Sequence, residues 1–112
     1  MDITVLQAKA LRVERLYDRL NEARGERVWT ATDLALGFVG DVGDLVEQVQ
    51  AAEGARTLPG GREALEHELA DCLWSVLVLA EHYDIDLQAA FTATMDRLET
   101  AVTAKLAAIA AD

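Results

Sequence analysis

Two pairs of acids, Asp41 with Asp44 and Glu68 with Asp71, carry the chemistry that this sequence offers. Residues three apart on a helix share a face one turn apart, so each pair sends two carboxylates to the same side. Antiparallel packing of the two helices brings four carboxylates to one cleft. That is the oxygen-rich, highly charged cage that hard cations such as Mg²⁺ or Mn²⁺ require. Four such charges without a partner repel one another and lose hydration, so a cation is the expected occupant.

Spacing does not single these pairs out, because an acid-rich chain holds several others at i,i+3. Their surroundings do. Asp41 and Asp44 interrupt an apolar helix next to Val42 and Leu45, and Glu68 and Asp71 do the same next to Leu69 and Cys72. Gly37, Gly40 and Gly43 fall in the same stretch, each costing about 1 kcal/mol relative to alanine within a helix. Gly37 and Gly40 lie on the stripe of Asp41 and Asp44, leaving room for a ligand or for a closely packed helix. Glu47 continues that row and Asp96 lies further along the chain; each either joins the acids or is solvated. His67 reads as a surface histidine flanked by acids, within reach of the site's edge, while His82 is four turns from Glu68 and too far away.

Other chemistries are excluded. Di-iron carboxylate bundles use Glu-x-x-His, but Ala64 and Leu79 stand three residues before His67 and His82. There is no glycine-rich phosphate loop with its lysine and no set of residues that would activate a nucleophile. The formal charge is −10, and residues 63–112 hold half of the twenty acids but only two of the ten bases. Such a surface repels a phosphate backbone, which argues against nucleic acid as a partner. Cys72 is the single cysteine, so no intrachain disulfide forms. Asp2, Lys9 and Arg12 stand where a signal peptide needs an apolar core, and the run from Cys72 to Ala80 is too short to span a bilayer. The expectation is a cytoplasmic protein with no membrane partner.

The elements that must position these acids are helical throughout. With 112 residues, 52% of them apolar, one proline and few aromatics, the chain suits a single all-α domain over 1–112. A first helix runs from Ile3 to Ala23 and ends at Gly25. Thr30 is the N-cap of a second, with Asp33 three residues on, and this helix runs through Leu34, Phe38, Val42, Leu45 and Val49 to near Gly54. Trp29 either packs on Leu34 as a hydrophobic staple or offers its indole to a base. Gly54, Pro59, Gly60 and Gly61 make a loop. A third helix covers about Arg62 to Tyr83, with Leu65, Leu69, Leu73, Val76, Leu77 and Ala80 turned inward. Between Cys72 and Ala80 it is apolar nearly all round, which makes it the centre of a bundle or a surface covered by a second subunit. Asp86 caps a fourth helix with an apolar face from Phe91 to Ile109, and the short connection before it predicts antiparallel packing on the third.

The stretches Gly-Phe-Val-Gly-Asp-Val-Gly-Asp-Leu at 37–45 and His-Glu-Leu-Ala-Asp-Cys-Leu-Trp at 67–74 resemble the paired motif of the MazG-like all-α nucleoside triphosphate pyrophosphohydrolases. In that superfamily Glu-x-x-Glu, a variable spacer and Glu-x-x-Asp supply the Mg²⁺ ligands. The second half matches at Glu68 and Asp71; the first carries Asp41 and Asp44, each one methylene shorter. The resemblance implies a four-helix bundle completed by oligomerisation, as a homodimer or homotetramer. It implies cleavage between the α and β phosphates of a ribo- or deoxynucleoside triphosphate, with Mg²⁺ or Mn²⁺ as cofactor. Many relatives have a lysine and an asparagine on the last helix, where this chain offers Arg97 to the substrate. Some have a water-activating acid before the first pair, where this chain has Gly40, so Glu47 stands with Glu68 as a catalytic candidate. A nucleotide and metal binder without turnover, and a helical interaction module, remain open beside this reading.

Overall fold

The computed structural model describes residues 2–111, and most of its helix ends carry a local signal. The helices are α1 (Ile3–Ala23), α2 (Ala31–Ala52), α3 (Gly61–His82) and α4 (Leu87–Ala110). Asp2 caps α1 by accepting from the Thr4 N–H at 3.0 Å, and Asp86 caps α4 by accepting from the Ala89 N–H at 3.0 Å. At α2 the capping box is complete: the Asp33 N–H donates to Thr30 Oγ1 at 3.2 Å, and the Thr30 N–H donates to Asp33 Oδ2 at 2.8 Å. Arg27 adds an ion pair that holds the Asp33 carboxyl well below the usual carboxylate range, helped by the Thr30 N–H.

Both α1 and α2 end with a glycine in the left-handed region, Gly25 at φ 72° and Gly54 at φ 84°. The following amides close back on the helix, Glu26 N–H onto the Asn21 carbonyl and Ala55 N–H onto that of Gln50, each at 2.8 Å. Asp84 does the same work after α3 at φ 52°, with the Ile85 N–H on the Ala80 carbonyl at 2.9 Å.

The central element is α3, with α2 and α1 packed on it. Val78 is fully buried, and Leu77 joins Ala10 of α1 and Leu34 of α2 in the core. Long polar groups fix α1 across α3: the Trp74 indole N–H donates to the Ala10 carbonyl at 3.0 Å, and Gln7 donates to the Leu77 carbonyl at 3.3 Å. Glu14 meets His82 at 2.6 Å. The expected inward face of α3 is realised only in part. Leu77 and Ala80 are buried, but Leu69 and Leu73 are 53% and 45% exposed, and Ser75 and Val78 take the interior instead. With neighbours on two sides, α3 buries a wider arc in its second half than in its first.

The predicted antiparallel α3–α4 pair does not form within the chain. The Ile3 N–H donates to Gln88 at 3.3 Å and Leu87 packs on the core, but beyond this first turn α4 runs along no other helix. A short connection limits the distance between helix ends and leaves the angle between their axes free. The chain measures 65 × 40 × 26 Å, with a radius of gyration of 18.3 Å, against about 13 Å for a compact chain of this length. No described helix is long and apolar enough to cross a membrane.

Candidate metal centre

Packing α2 on α3 sets the two acid pairs against each other across one groove. Asp41 is half-buried there, and its carboxyl is pushed above the ordinary range by burial first, then by the charges of Asp71 and Asp44, while His67 acts the other way. The Cys72 thiol is likewise raised by burial first, then by Asp41, Asp71, Glu68 and Asp44 in that order. All four carboxylates therefore act on one stretch of groove. A thiol held protonated in this way is no nucleophile.

The tightest part of the group lies on α3. His67, Glu68 and Asp71 each offer one ligand atom, all within 4.8 Å of one another, and His67 Nε2 stands 3.0 Å from Asp71 Oδ2. Among the described residues no lysine or arginine forms an ion pair with any of the four carboxylates. Oxygen donors on two helices, without a lysine or arginine partner and with the Asp41 carboxyl raised by burial and its acidic neighbours, fit a divalent cation.

Next to the acids a cavity of about 670 Å³ opens between α1, α2 and α3. Asp41 and Asp71 line it together with Tyr17, Trp29 and Trp74. The Tyr17 ring lies 5.0 Å from that of Trp29 and 5.8 Å from that of Trp74, so three aromatic rings gather around one wall. Trp29 and Leu34 line the same cavity. Gly37 also lines it, and a Cβ there would meet nothing within 4 Å. The same is true of Gly40 and Gly43, so close packing within the chain accounts for none of the three. At Gly37 the missing side chain widens the cavity beside Asp41.

The structure thus sets Asp41 and Asp44 of α2 near enough to act on the same Cys72 thiol as Glu68 and Asp71 of α3, and places Trp29 on the cavity that Asp41 and Asp71 line. Glu47 stands apart, exposed and 3.6 Å from Arg56 of the loop after α2. Arg97 lies on α4, bonded to Thr94 Oγ1 at 3.3 Å, on a surface shared with Asp96, Thr100 and Ala101 and with none of the four acids. Sequence reasoning missed Tyr17 and Trp74 on the cavity, and it weighed His67, which lies with Glu68 and Asp71, as a surface histidine at the site's edge. Trp74 could have been found, since it lies three residues beyond Asp71 on the same face. Tyr17 carries no such signal, because its role depends on how α1 docks.

A family model described as the MazG nucleotide pyrophosphohydrolase domain matches residues 30–102, which takes in α2, α3 and most of α4. No curated protein and no solved structure matches the chain.

Proposed function

Because this chain belongs to the MazG nucleotide pyrophosphohydrolase family, we propose that it hydrolyses a nucleoside triphosphate between the α and β phosphates, releasing a monophosphate and pyrophosphate. The observation that carries this reading is the meeting of four carboxylates that have no lysine or arginine partner with an aromatic-walled cavity of nucleotide-binding size. Asp41, Asp44, Glu68 and Asp71 would hold the divalent cation, Mg²⁺ or Mn²⁺, which would supply neutralisation of phosphate charge and a more acidic water. Trp29, with Tyr17 and Trp74, stacks the base, while the groove orients the phosphates toward the acids. Asp41 and Asp44 are each one methylene shorter than glutamate and would hold such a cation with a shorter reach from α2.

Glu47, the sequence's candidate for the proton of the attacking water, lies on α2 one turn beyond Asp44 and is paired with Arg56, so that role would need the pair to open and the side chain to turn toward the groove. Within the chain Arg97 lies away from the groove, and α4 carries an exposed apolar face of Phe91, Met95, Leu98, Val102 and Leu106. A homodimer or homotetramer covers that face and brings Arg97 of one copy to the phosphates of another. The domain spans 1–112, since α1 lends Tyr17 to the cavity, and the work is done in the cytoplasm, where nucleotides are found.

The test is product identity. The protein is incubated with ribo- and deoxynucleoside triphosphates and Mg²⁺ or Mn²⁺, and the phosphorus resonances are followed. Monophosphate with pyrophosphate is expected. Diphosphate with orthophosphate, or no product from any substrate, contradicts the proposal.

A further inference from the structure

The paired acids account for four ligands of the cation, but the most compact group of ligand atoms includes a fifth residue, His67. Its spacing is that of an i,i+4 surface pair and also that of two ligands on one ion. Two cis ligands held about 2.1 Å from an octahedral cation stand about 3.0 Å apart, and His67 Nε2 lies 3.0 Å from Asp71 Oδ2. His67 and Asp71 are related by one helical turn, i to i+4, and Glu68 offers its oxygen within the same 4.8 Å. The His67 side chain is 68% exposed, so no packing prevents a small rotation that turns its nitrogen from Asp71 to an ion between them.

Resting on the metal-centre reading above, we propose that His67 is a direct ligand of that centre and that the site consequently holds Mn²⁺ in preference to Mg²⁺. Mg²⁺ takes oxygen ligands and tolerates little departure from them, whereas imidazole nitrogen suits the borderline first-row cations. A single nitrogen among carboxylates therefore adds affinity for Mn²⁺ and almost none for Mg²⁺. The shortened Asp41 and Asp44 act in the same direction, because a weaker reach from α2 leaves more of the coordination to α3. The competing account makes His67 a protonated counter-charge to the acids. A counter-charge competes with every cation alike, so removing it would raise the affinity for both metals.

The experiment measures metal binding itself. Mn²⁺ is titrated into the full chain and followed by the loss of the free-ion electron paramagnetic resonance signal; Mg²⁺ is read by competition; pulsed spectra of the Mn²⁺ form report nitrogen at the metal. Wild type is compared with His67→Ala and His67→Gln, with circular dichroism confirming the fold. Wild type should bind Mn²⁺ more tightly and show imidazole nitrogen coupling. Both variants should lose that coupling and at least about tenfold in Mn²⁺ affinity, the low end of what even an outer partner of a ligand costs, with Mg²⁺ affinity nearly unchanged. Mn²⁺ bound by oxygen alone in wild type, or variants that shift both metals equally, overturns this inference and leaves the metal centre standing. Failure of wild type to bind either cation overturns both.

Discussion

Helices α3 and α4 are nearly the same length, 22 and 24 residues, and both carry long apolar faces, yet the chain treats them oppositely. α3 buries Ser75, Leu77, Val78 and Ala80, while α4 buries no residue fully and touches the core only through Leu87, with Phe91 61% and Ile109 71% exposed. The difference shows that an amphipathic pattern states which face needs cover and is silent on what covers it. It also separates the candidate site. His67, Glu68 and Asp71 sit on the helix that the chain itself holds in place, and Arg97 sits on the helix whose apolar face stays exposed.

Core truncation gives the largest break in this comparison. Leu77→Ala should cost about 2–5 kcal/mol in chemical denaturation, whereas Leu98→Ala at low protein concentration should stay within about 0.5 kcal/mol. Sedimentation should then show Leu98→Ala shifting the protein to smaller species. Equal losses from the two variants would mean that α4 is packed within its own chain.

The chemistry should divide along the same line. Asp71→Asn removes an acid that belongs to both the ligand group and the cavity, and pyrophosphate release should fall roughly 10²–10³-fold. Arg97→Ala should raise KM about tenfold with less effect on kcat, since it removes phosphate binding supplied from α4.

A smaller effect concerns pH. Asp41 has its carboxyl raised in the folded chain, so its contribution is fully present below the ordinary value of 3.8 and is lost as pH rises through the raised value. Asp33 is lowered, so its contribution is present above the ordinary value and is lost as pH falls toward the lowered one. A divalent cation bound at the groove should therefore raise the melting temperature at neutral pH and do so progressively less as Asp41 protonates. Thermal melts with and without Mn²⁺ across that range check the sign. A local effect is expected from Thr30→Ala, which opens the capping box of α2 and should cost about 1 kcal/mol in denaturation while leaving α3 and α4 unchanged.

Much of this was legible in the residues because it is local. Thr30 with Asp33, Asp86 and the glycines at 25 and 54 act on their own backbone, and the helices begin and end where those residues place them. The acid pairs were legible for the same reason, since i,i+3 spacing fixes a face. The cavity was not, because Tyr17 reaches Trp29 and Trp74 only after α1 crosses α3. His67 was visible as a neighbour of Glu68, but its approach to Asp71 competes with ordinary solvation on an exposed face, and sequence does not decide that competition. The course of α4 depends on an angle at Tyr83–Asp86 that no side-chain pattern sets.

The central claim is that the groove between α2 and α3 is a metal centre for pyrophosphate release, and Glu68 tests it most directly. Pyrophosphate release from the best substrate of the triphosphate panel is measured for wild type and for Glu68→Gln, with circular dichroism showing both folded. Wild type should release pyrophosphate in a cation-dependent manner, and Glu68→Gln should lose roughly a hundredfold or more. Undiminished release by the folded variant would contradict the account.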